Sequence, residues 1–83
     1  METIILDGNI LGDKERVHGY LKETLNFPEY YGNNLDALYD CLTELGEVKI
    51  QIKRGKESDY MEKVIMVFNM AERDSDISVE VID

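Results

Sequence analysis

The chain has 83 residues, of which 43% are hydrophobic and 33% are charged, a composition typical of one small globular domain rather than of a disordered segment. Its formal net charge of −9 argues against direct binding of RNA or DNA, because nucleic-acid-binding proteins use a basic surface to displace the counterions of the phosphates. Such a charge suits a cationic protein partner, and it is also compatible with a role in solubility alone.

The first part of the chain predicts one strand and one helix. A β-branched run at residues 3–6 predicts strand one, and the turn pair Asp7-Gly8 closes it. Asp13 is a candidate N-cap for a helix over residues 14–25. The apolar residues at helical spacing in that segment are Val17, Tyr20, Leu21 and Leu25.

A second helix is predicted over residues 34–45. Either Asn33 or Asn34 serves as its N-cap, and Gly46 ends it as a C-terminal glycine. Its apolar stripe has the spacing i, i+3, i+7, i+10 and consists of Leu35, Leu38, Leu42 and Leu45.

Two more strands and a third helix follow. Residues 48–53 alternate apolar and polar side chains, which predicts an edge strand or a half-covered strand. A basic turn at 53–56 precedes a helix predicted over 58–72, and residues 77–82 alternate again as strand three. Strands separated by helices run parallel through right-handed crossovers. We therefore expect one α/β domain over residues 1–83, a small three-stranded parallel sheet packed against about three helices.

The middle of the chain carries a local excess of negative charge. Residues 23–48 contain no Lys, Arg or His, but they contain Glu23, Glu29, Asp36, Asp40, Glu44 and Glu47. When the second helix is wound at about 100° per residue, its leucines and Cys41 fall on one side, and Tyr39 lies at the border. The opposite side consists of Asp36, Asp40, Thr43 and Glu44. Acids one turn apart repel each other, so this side is either a functional face or an ordinary solvated surface.

The loop before this helix contains two adjacent tyrosines, Tyr30 and Tyr31. Adjacent side chains of a loop point in different directions, so one ring can pack on the core while the other stays exposed as an interface aromatic. The alternative is that both rings cover the core. Gly32 indicates a backbone position that requires a positive φ.

The segment 28–43, PEYYGNNLDALYDCLT, resembles the signature of the barstar family, and looser similarity extends over the whole chain. The resemblance implies an intracellular inhibitor of guanyl-specific ribonucleases such as barnase. It also implies that the second helix and its preceding loop enter the active site of the ribonuclease.

The resemblance implies a partner-binding role for eight residues. Asp40 would take the place of the substrate phosphate among the cationic residues of the ribonuclease, and Asp36 would pair with a further arginine. Tyr30 would pack on the catalytic histidine, while Asn34 and the Gly32 backbone would supply hydrogen bonds. The other positions are Tyr39, where the family has a tryptophan, and Thr43 and Glu44 at the rim.

The chain also departs from the family pattern. It has no tryptophan, and Leu45 stands at the second aromatic position of the family. Met70 stands where the family has an acid on its last helix, and the segment between Ile52 and Val64 is shorter. These departures bear on which ribonuclease is bound.

We therefore predict a non-enzymatic ribonuclease inhibitor, an immunity protein, that binds a barnase-like cationic ribonuclease or a toxin ribonuclease domain. The alternative is an acidic interaction domain whose basic partner is not a ribonuclease. We expect no cofactor, metal, nucleic acid or membrane contact, and a free monomer. The single cysteine and an N-terminus unlike a signal peptide suggest a cytoplasmic location. Cys41 is expected to be a buried structural thiol and His18 a surface or core-edge residue, rather than a catalytic pair.

Overall fold

Residues 2–82 are described by the computed structural model, and their elements follow the predicted order with one additional helix. The elements are β1 (Glu2–Asp7), α1 (Gly8–Leu11), α2 (Val17–Thr24), α3 (Leu35–Thr43), β2 (Val48–Lys53), α4 (Asp59–Asp74) and β3 (Ser78–Ile82). The predicted α/β class is confirmed. No helix within residues 2–82 combines the length and the apolar character needed to cross a membrane.

The three strands form one parallel sheet in the order β1-β2-β3, as predicted. Ile50 of β2 is in register with Ile4 on one side and Val79 on the other, so these side chains lie on one face. Since β2 is central, the prediction of an edge strand is wrong. The prediction of a half-covered strand is confirmed, because Ile50 is fully buried while Lys49 and Gln51 are partly exposed.

The core lies between the covered face of the sheet and the helices. Its fully buried members include Leu6, Leu21, Leu38, Leu42, Ile52, Val64 and Phe68. Burial of each such side chain contributes about 1.5–3 kcal/mol relative to exposure, so this layer holds α3 in the common core, where it packs against α4. The opposite face of the sheet is left open, with Ile5 exposed and Gln51 Nε2 donating a hydrogen bond to Glu80 Oε1.

The region between β1 and α2 differs from the prediction. Asp7 caps a short helix that the sequence does not predict, because its Oδ1 accepts a hydrogen bond from Asn9 N at 2.9 Å. Asp13 does not cap α2, since its Oδ1 accepts from Glu15 N and its carbonyl accepts from Val17 N, which forms a turn. Helix α2 therefore begins at Val17 and not at residue 14.

The other helix boundaries agree with the prediction to within two residues. Ser58 caps α4 through a hydrogen bond from Met61 N to its Oγ, and the helix continues to Asp74. Helix α3 begins and ends one or two residues inside the predicted range. Gly46, the predicted C-terminal glycine of that helix, has a φ of 77°, which is a left-handed conformation that favours glycine.

Candidate functional site

Asn34 joins the loop at residues 28–34, here called the tyrosine loop, to the start of α3. Its Oδ1 accepts a hydrogen bond from Ala37 N at 2.8 Å, and its Nδ2 donates one to Gly32 O at 3.1 Å. The first contact satisfies a backbone N–H at the start of the helix, as an N-cap does, and confirms Asn34 rather than Asn33 as the cap. The second contact folds the tyrosine loop back onto its own helix.

The predicted positive φ at Gly32 is wrong. The left-handed residue of the tyrosine loop is Asn33, with a φ of 55°, and asparagine tolerates this region better than most residues. What Gly32 provides is space. A Cβ atom at this position would lie 3.2 Å from Asn34 Nδ2 and 3.4 Å from Ala37 Cβ, so a side chain there would press on the cap.

The two adjacent tyrosines have opposite environments. Tyr31 is 5% exposed, and its ring centroid lies 4.9 Å from that of Phe27. Tyr30 is 79% exposed. The prediction that one ring is buried and the other exposed is therefore confirmed, and the alternative that both cover the core is wrong. Tyr30 offers a free aromatic ring at the surface, while Tyr31 anchors the tyrosine loop.

Helix α3 separates its charged and apolar residues as predicted. Leu38, Cys41 and Leu42 are buried. Asp36, Asp40 and Glu44 are exposed, and these three residues are here called the acidic face. Glu44 forms the C-cap, and the helix tightens at its end because Glu44 N donates to Cys41 O at 3.2 Å. Thr43 is partly exposed and donates from its Oγ1 to Asp40 O at 2.8 Å.

The acidic face is not neutralised by neighbouring cations. Across residues 2–82, no ion pair includes Asp36, Asp40 or Glu44. The N-terminal end of the helix dipole favours Asp36, which lies in the first turn, but not the other two. The result is a fixed column of like charges on a rigid element. Such a column raises the local concentration of cationic partners.

Tyr39 lies beside the acidic face and is partly buried. Its hydroxyl donates a hydrogen bond to Asp74 Oδ2 at 2.5 Å, and this bond, with smaller effects from burial and nearby charge, raises the pKa of Tyr39. The contact ties α3 to the last residue of α4. The hydroxyl of Tyr39 is therefore engaged within the chain, and the side chain as a whole is partly exposed.

Cys41 and His18, the candidate nucleophile and base, have structural roles. Cys41 is buried, and its pKa is raised by burial first and then by the charges of Glu44 and Asp40, so the thiol stays protonated. His18 is buried at 7% exposure, so the predicted surface position is wrong, while the predicted core-edge position agrees with its contact to the partly buried Tyr60. Both of its ring nitrogens lie 2.7 Å from tyrosine hydroxyls, those of Tyr31 and Tyr60. Among residues 2–82, no three potential metal-ligating side chains form a group.

The pairing of His18 with Tyr60 could not be found from the sequence. The two residues are 42 positions apart in the sequence. Their types indicate only that each needs a hydrogen-bond partner when it is buried. Glu72 is a second such case. Its Oε2 accepts a hydrogen bond from Val79 N at 2.8 Å and so joins α4 to β3.

Comparison with known proteins agrees with this fold. The fold is a small α/β domain on a three-stranded parallel sheet, of barstar-like type. The family model for barstar, described as the barnase inhibitor, matches residues 1–81, and the chain therefore belongs to the barstar family.

One relative comes from Bacillus subtilis (strain 168) and carries the name "Putative ribonuclease inhibitor YrdF". It is 56% identical to this chain over 43 residues. The match covers 52% of this chain and 47% of the relative, which is less than half of that protein's length.

Proposed function

We propose that this chain is a barstar-like ribonuclease inhibitor, a single domain that occludes the active site of a small cationic ribonuclease or ribonuclease toxin. The observation that supports the proposal most strongly is the acidic face itself. Asp36, Asp40 and Glu44 are exposed at one-turn spacing and are left without an ion pair in residues 2–82. Membership of a family described as barnase inhibitors gives this charged surface its proposed target.

Charge mimicry is the proposed mechanism. A ribonuclease active site holds cationic side chains that bind the phosphates of RNA, and Asp40, in the middle of α3, would replace one phosphate there. Asp36 would pair with a further arginine one turn earlier. Both carboxylates are attached to a helix whose opposite face is buried in the core, so little backbone ordering is left to complete on binding. Complementary charge also speeds the encounter of the two proteins.

The other proposed contacts surround this pair. Tyr30, at 79% exposure, would pack its ring on the catalytic histidine. The Gly32 backbone and Asn34 would contribute hydrogen bonds, and Asn34 would do so while it still caps α3. Three further residues would complete the rim of the interface: the Tyr39 ring, Thr43 and Glu44.

The inhibitor does no chemistry of its own in this proposal. It binds as a monomer in the cytoplasm and prevents RNA from entering the ribonuclease. It uses no cofactor, because the carboxylates themselves supply the charge that the ribonuclease recognises.

The proposal is tested by titration of the chain against a panel of small cationic ribonucleases, with barnase first, while RNA hydrolysis is followed. We expect hydrolysis by at least one of them to cease near one equivalent of added chain. Glu62→Ala is the control variant and should inhibit as the parent does. Glu62 is an exposed acid of α4 and lies outside the proposed interface. Full hydrolysis by every ribonuclease in the presence of excess chain would contradict the proposal.

A further inference from the structure

A line of hydrogen-bonded rings runs from α4 through α2 to the tyrosine loop. His18 Nε2 lies 2.7 Å from the hydroxyl oxygen of Tyr60, which belongs to α4. His18 Nδ1 lies 2.7 Å from the hydroxyl oxygen of Tyr31. Tyr31 is the neighbour of Tyr30, the exposed ring of the proposed interface. The imidazole of His18 therefore links α4 to the tyrosine loop by hydrogen bonds, in addition to the packing of Tyr31 on Phe27.

The burial of the two tyrosines assigns the direction of these hydrogen bonds. Tyr31 is 5% exposed, so its hydroxyl proton needs an acceptor within the protein, and the acceptor beside it is His18 Nδ1. His18 then carries its proton on Nε2 and donates it to the oxygen of Tyr60. Tyr60 is only partly buried, so its own hydroxyl proton can reach water. No buried side-chain N or O atom in the described part of the chain lacks a partner, which agrees with this arrangement.

We propose that His18 is the positioning residue of the tyrosine loop: it holds Tyr31 on the core side, and uptake of a proton by His18 loosens the loop. This inference rests on the proposed function, because the tyrosine loop is part of the proposed ribonuclease-binding surface. His18 is buried and would not touch the ribonuclease itself. It acts through Tyr31, whose backbone N–H also donates to Pro28 O at 3.0 Å and so closes the turn that carries Tyr30.

Protonation of His18 affects its hydrogen bond with Tyr31 and not the one with Tyr60. A second proton would sit on Nδ1, opposite the hydroxyl proton of Tyr31, and the hydrogen bond from that hydroxyl to Nδ1 would be lost. The groups that face His18 offer no negative charge to a cationic ring: Tyr31 from the tyrosine loop, Tyr60 from α4, Lys14 with its Nζ 5.6 Å from the centre of the Tyr60 ring, and Cys41 of α3 next to Tyr31. Burial correspondingly lowers the pKa of His18.

Amide hydrogen exchange of the free chain tests the positioning role directly. In Tyr31→Phe and in His18→Ala we expect the backbone amide of residue 31 to lose about tenfold in protection relative to the amide of Ile50 in β2. A loss of this size corresponds to one buried hydrogen bond. Tyr20→Phe is the matched control, because it also deletes a tyrosine hydroxyl, one that accepts from Asp7 N at 2.9 Å away from the tyrosine loop. Equal relative protection in Tyr31→Phe, His18→Ala and Tyr20→Phe would overturn the proposal.

Two further measurements test whether protonation of His18 loosens the tyrosine loop. Imidazole nitrogen chemical shifts should show Nδ1 of His18 without a proton near neutral pH, and a proton on Nδ1 would contradict the assigned direction. Protection of the Tyr31 amide should fall with decreasing pH more than that of Ile50. His18→Gln can still donate and accept but does not titrate, so it should keep part of the protection and lose its pH dependence. A persistent pH dependence in that variant would contradict the role of His18.

These measurements use the free chain, and they are independent of any ribonuclease. With barnase as the probe, Tyr31→Phe and His18→Ala should weaken inhibition more than Tyr20→Phe. If the parent inhibits no ribonuclease, the proposed function fails while hydrogen exchange still decides the positioning role. If the parent inhibits barnase and the three variants inhibit it equally, the positioning role fails and the proposed function stands.

Discussion

Asp40 is the residue whose carboxylate we expect to contribute little to folding and much to binding. It is exposed in the middle of α3, with Asp36 and Glu44 one turn away on either side. Acids at this spacing repel one another, so the free helix gains little from the carboxylate. A surface under selection for stability alone would be better served by a base among these acids. The conflict has a physical explanation if a cationic partner neutralises the acidic face on binding.

We expect Asp40→Ala to leave the free energy of unfolding within about 0.5 kcal/mol of the parent, or to raise it slightly. Inhibition should weaken by about 2–5 kcal/mol, because cationic groups of the ribonuclease are left buried without a partner. That range is known from protein complexes that include barnase–barstar itself. Urea unfolding and inhibition assays measure the two effects.

Leu42→Ala is the control for Asp40→Ala, because it should lower stability where Asp40→Ala should not. Leu42 is fully buried, so its truncation should cost about 2–5 kcal/mol of stability. Parent-like inhibition of a confirmed partner by Asp40→Ala would show that the acidic face is not the inhibitory surface.

His18 predicts a pH dependence of stability. Burial lowers its pKa in the folded chain below 6.5, so the unfolded chain takes up a proton first as the pH falls. The contribution of His18 to the free energy of unfolding should be fully present above pH 6.5 and should decrease below it, until the lowered folded pKa is reached. Urea unfolding between about pH 7.5 and about pH 5.5 measures this change. His18→Gln should remove it, and an unchanged slope in that variant would contradict the assignment.

At the scale of single elements, α3 depends on one side chain for its start. Asn34 caps the helix and also binds Gly32 O, so it fixes the tyrosine loop and the acidic face in one arrangement. Asn34→Ala should therefore lower the free energy of unfolding by about 0.5–2 kcal/mol. Asn34→Ser keeps a capping oxygen and should lose less. Thermal unfolding compares them, and equal stability of the Ala variant and the parent would exclude the cap as a source of stability.

Periodicity predicts the elements whose apolar faces are long and regular. Alternation predicts β2 and β3, a β-branched run predicts β1, and helical stripes predict α3 and α4, because each element buries one face against a common core. The opposite exposure of Tyr30 and Tyr31 is one of two arrangements that the sequence leaves open, and the structure selects it. The acidic face was predicted from the angular positions of Asp36, Asp40 and Glu44, and their exposure agrees.

Short-range polar contacts explain where the sequence was misleading. Asp7 and Asp13 are both good caps by type, but Asp7 caps a four-residue helix and Asp13 closes a turn. The positive φ falls on Asn33 and not on Gly32, which serves as space beside the cap. The His18–Tyr60 contact joins distant elements, and no local pattern encodes such a pair.

At the scale of the whole molecule, the net charge of −9 and the base-free stretch over residues 23–48 create a negative field around α3. If this field guides a cationic ribonuclease, the association rate should fall markedly as ionic strength rises past about 0.1 M, where the screening length is about 10 Å. The dissociation rate should change much less. Stopped-flow measurements at low and high salt give both rates, and an association rate independent of salt would count against charge mimicry.

If the acidic face enters the ribonuclease active site, the chain should compete with a small ligand of that site. Barnase, or another inhibited ribonuclease, is titrated with the chain in the absence and in the presence of a saturating guanosine nucleotide. We expect the apparent affinity for the chain to fall in proportion to the occupancy of the nucleotide, because Asp40 and the phosphate would occupy the same cationic site. Unchanged affinity at full nucleotide occupancy would place the chain elsewhere on the ribonuclease and would contradict the account.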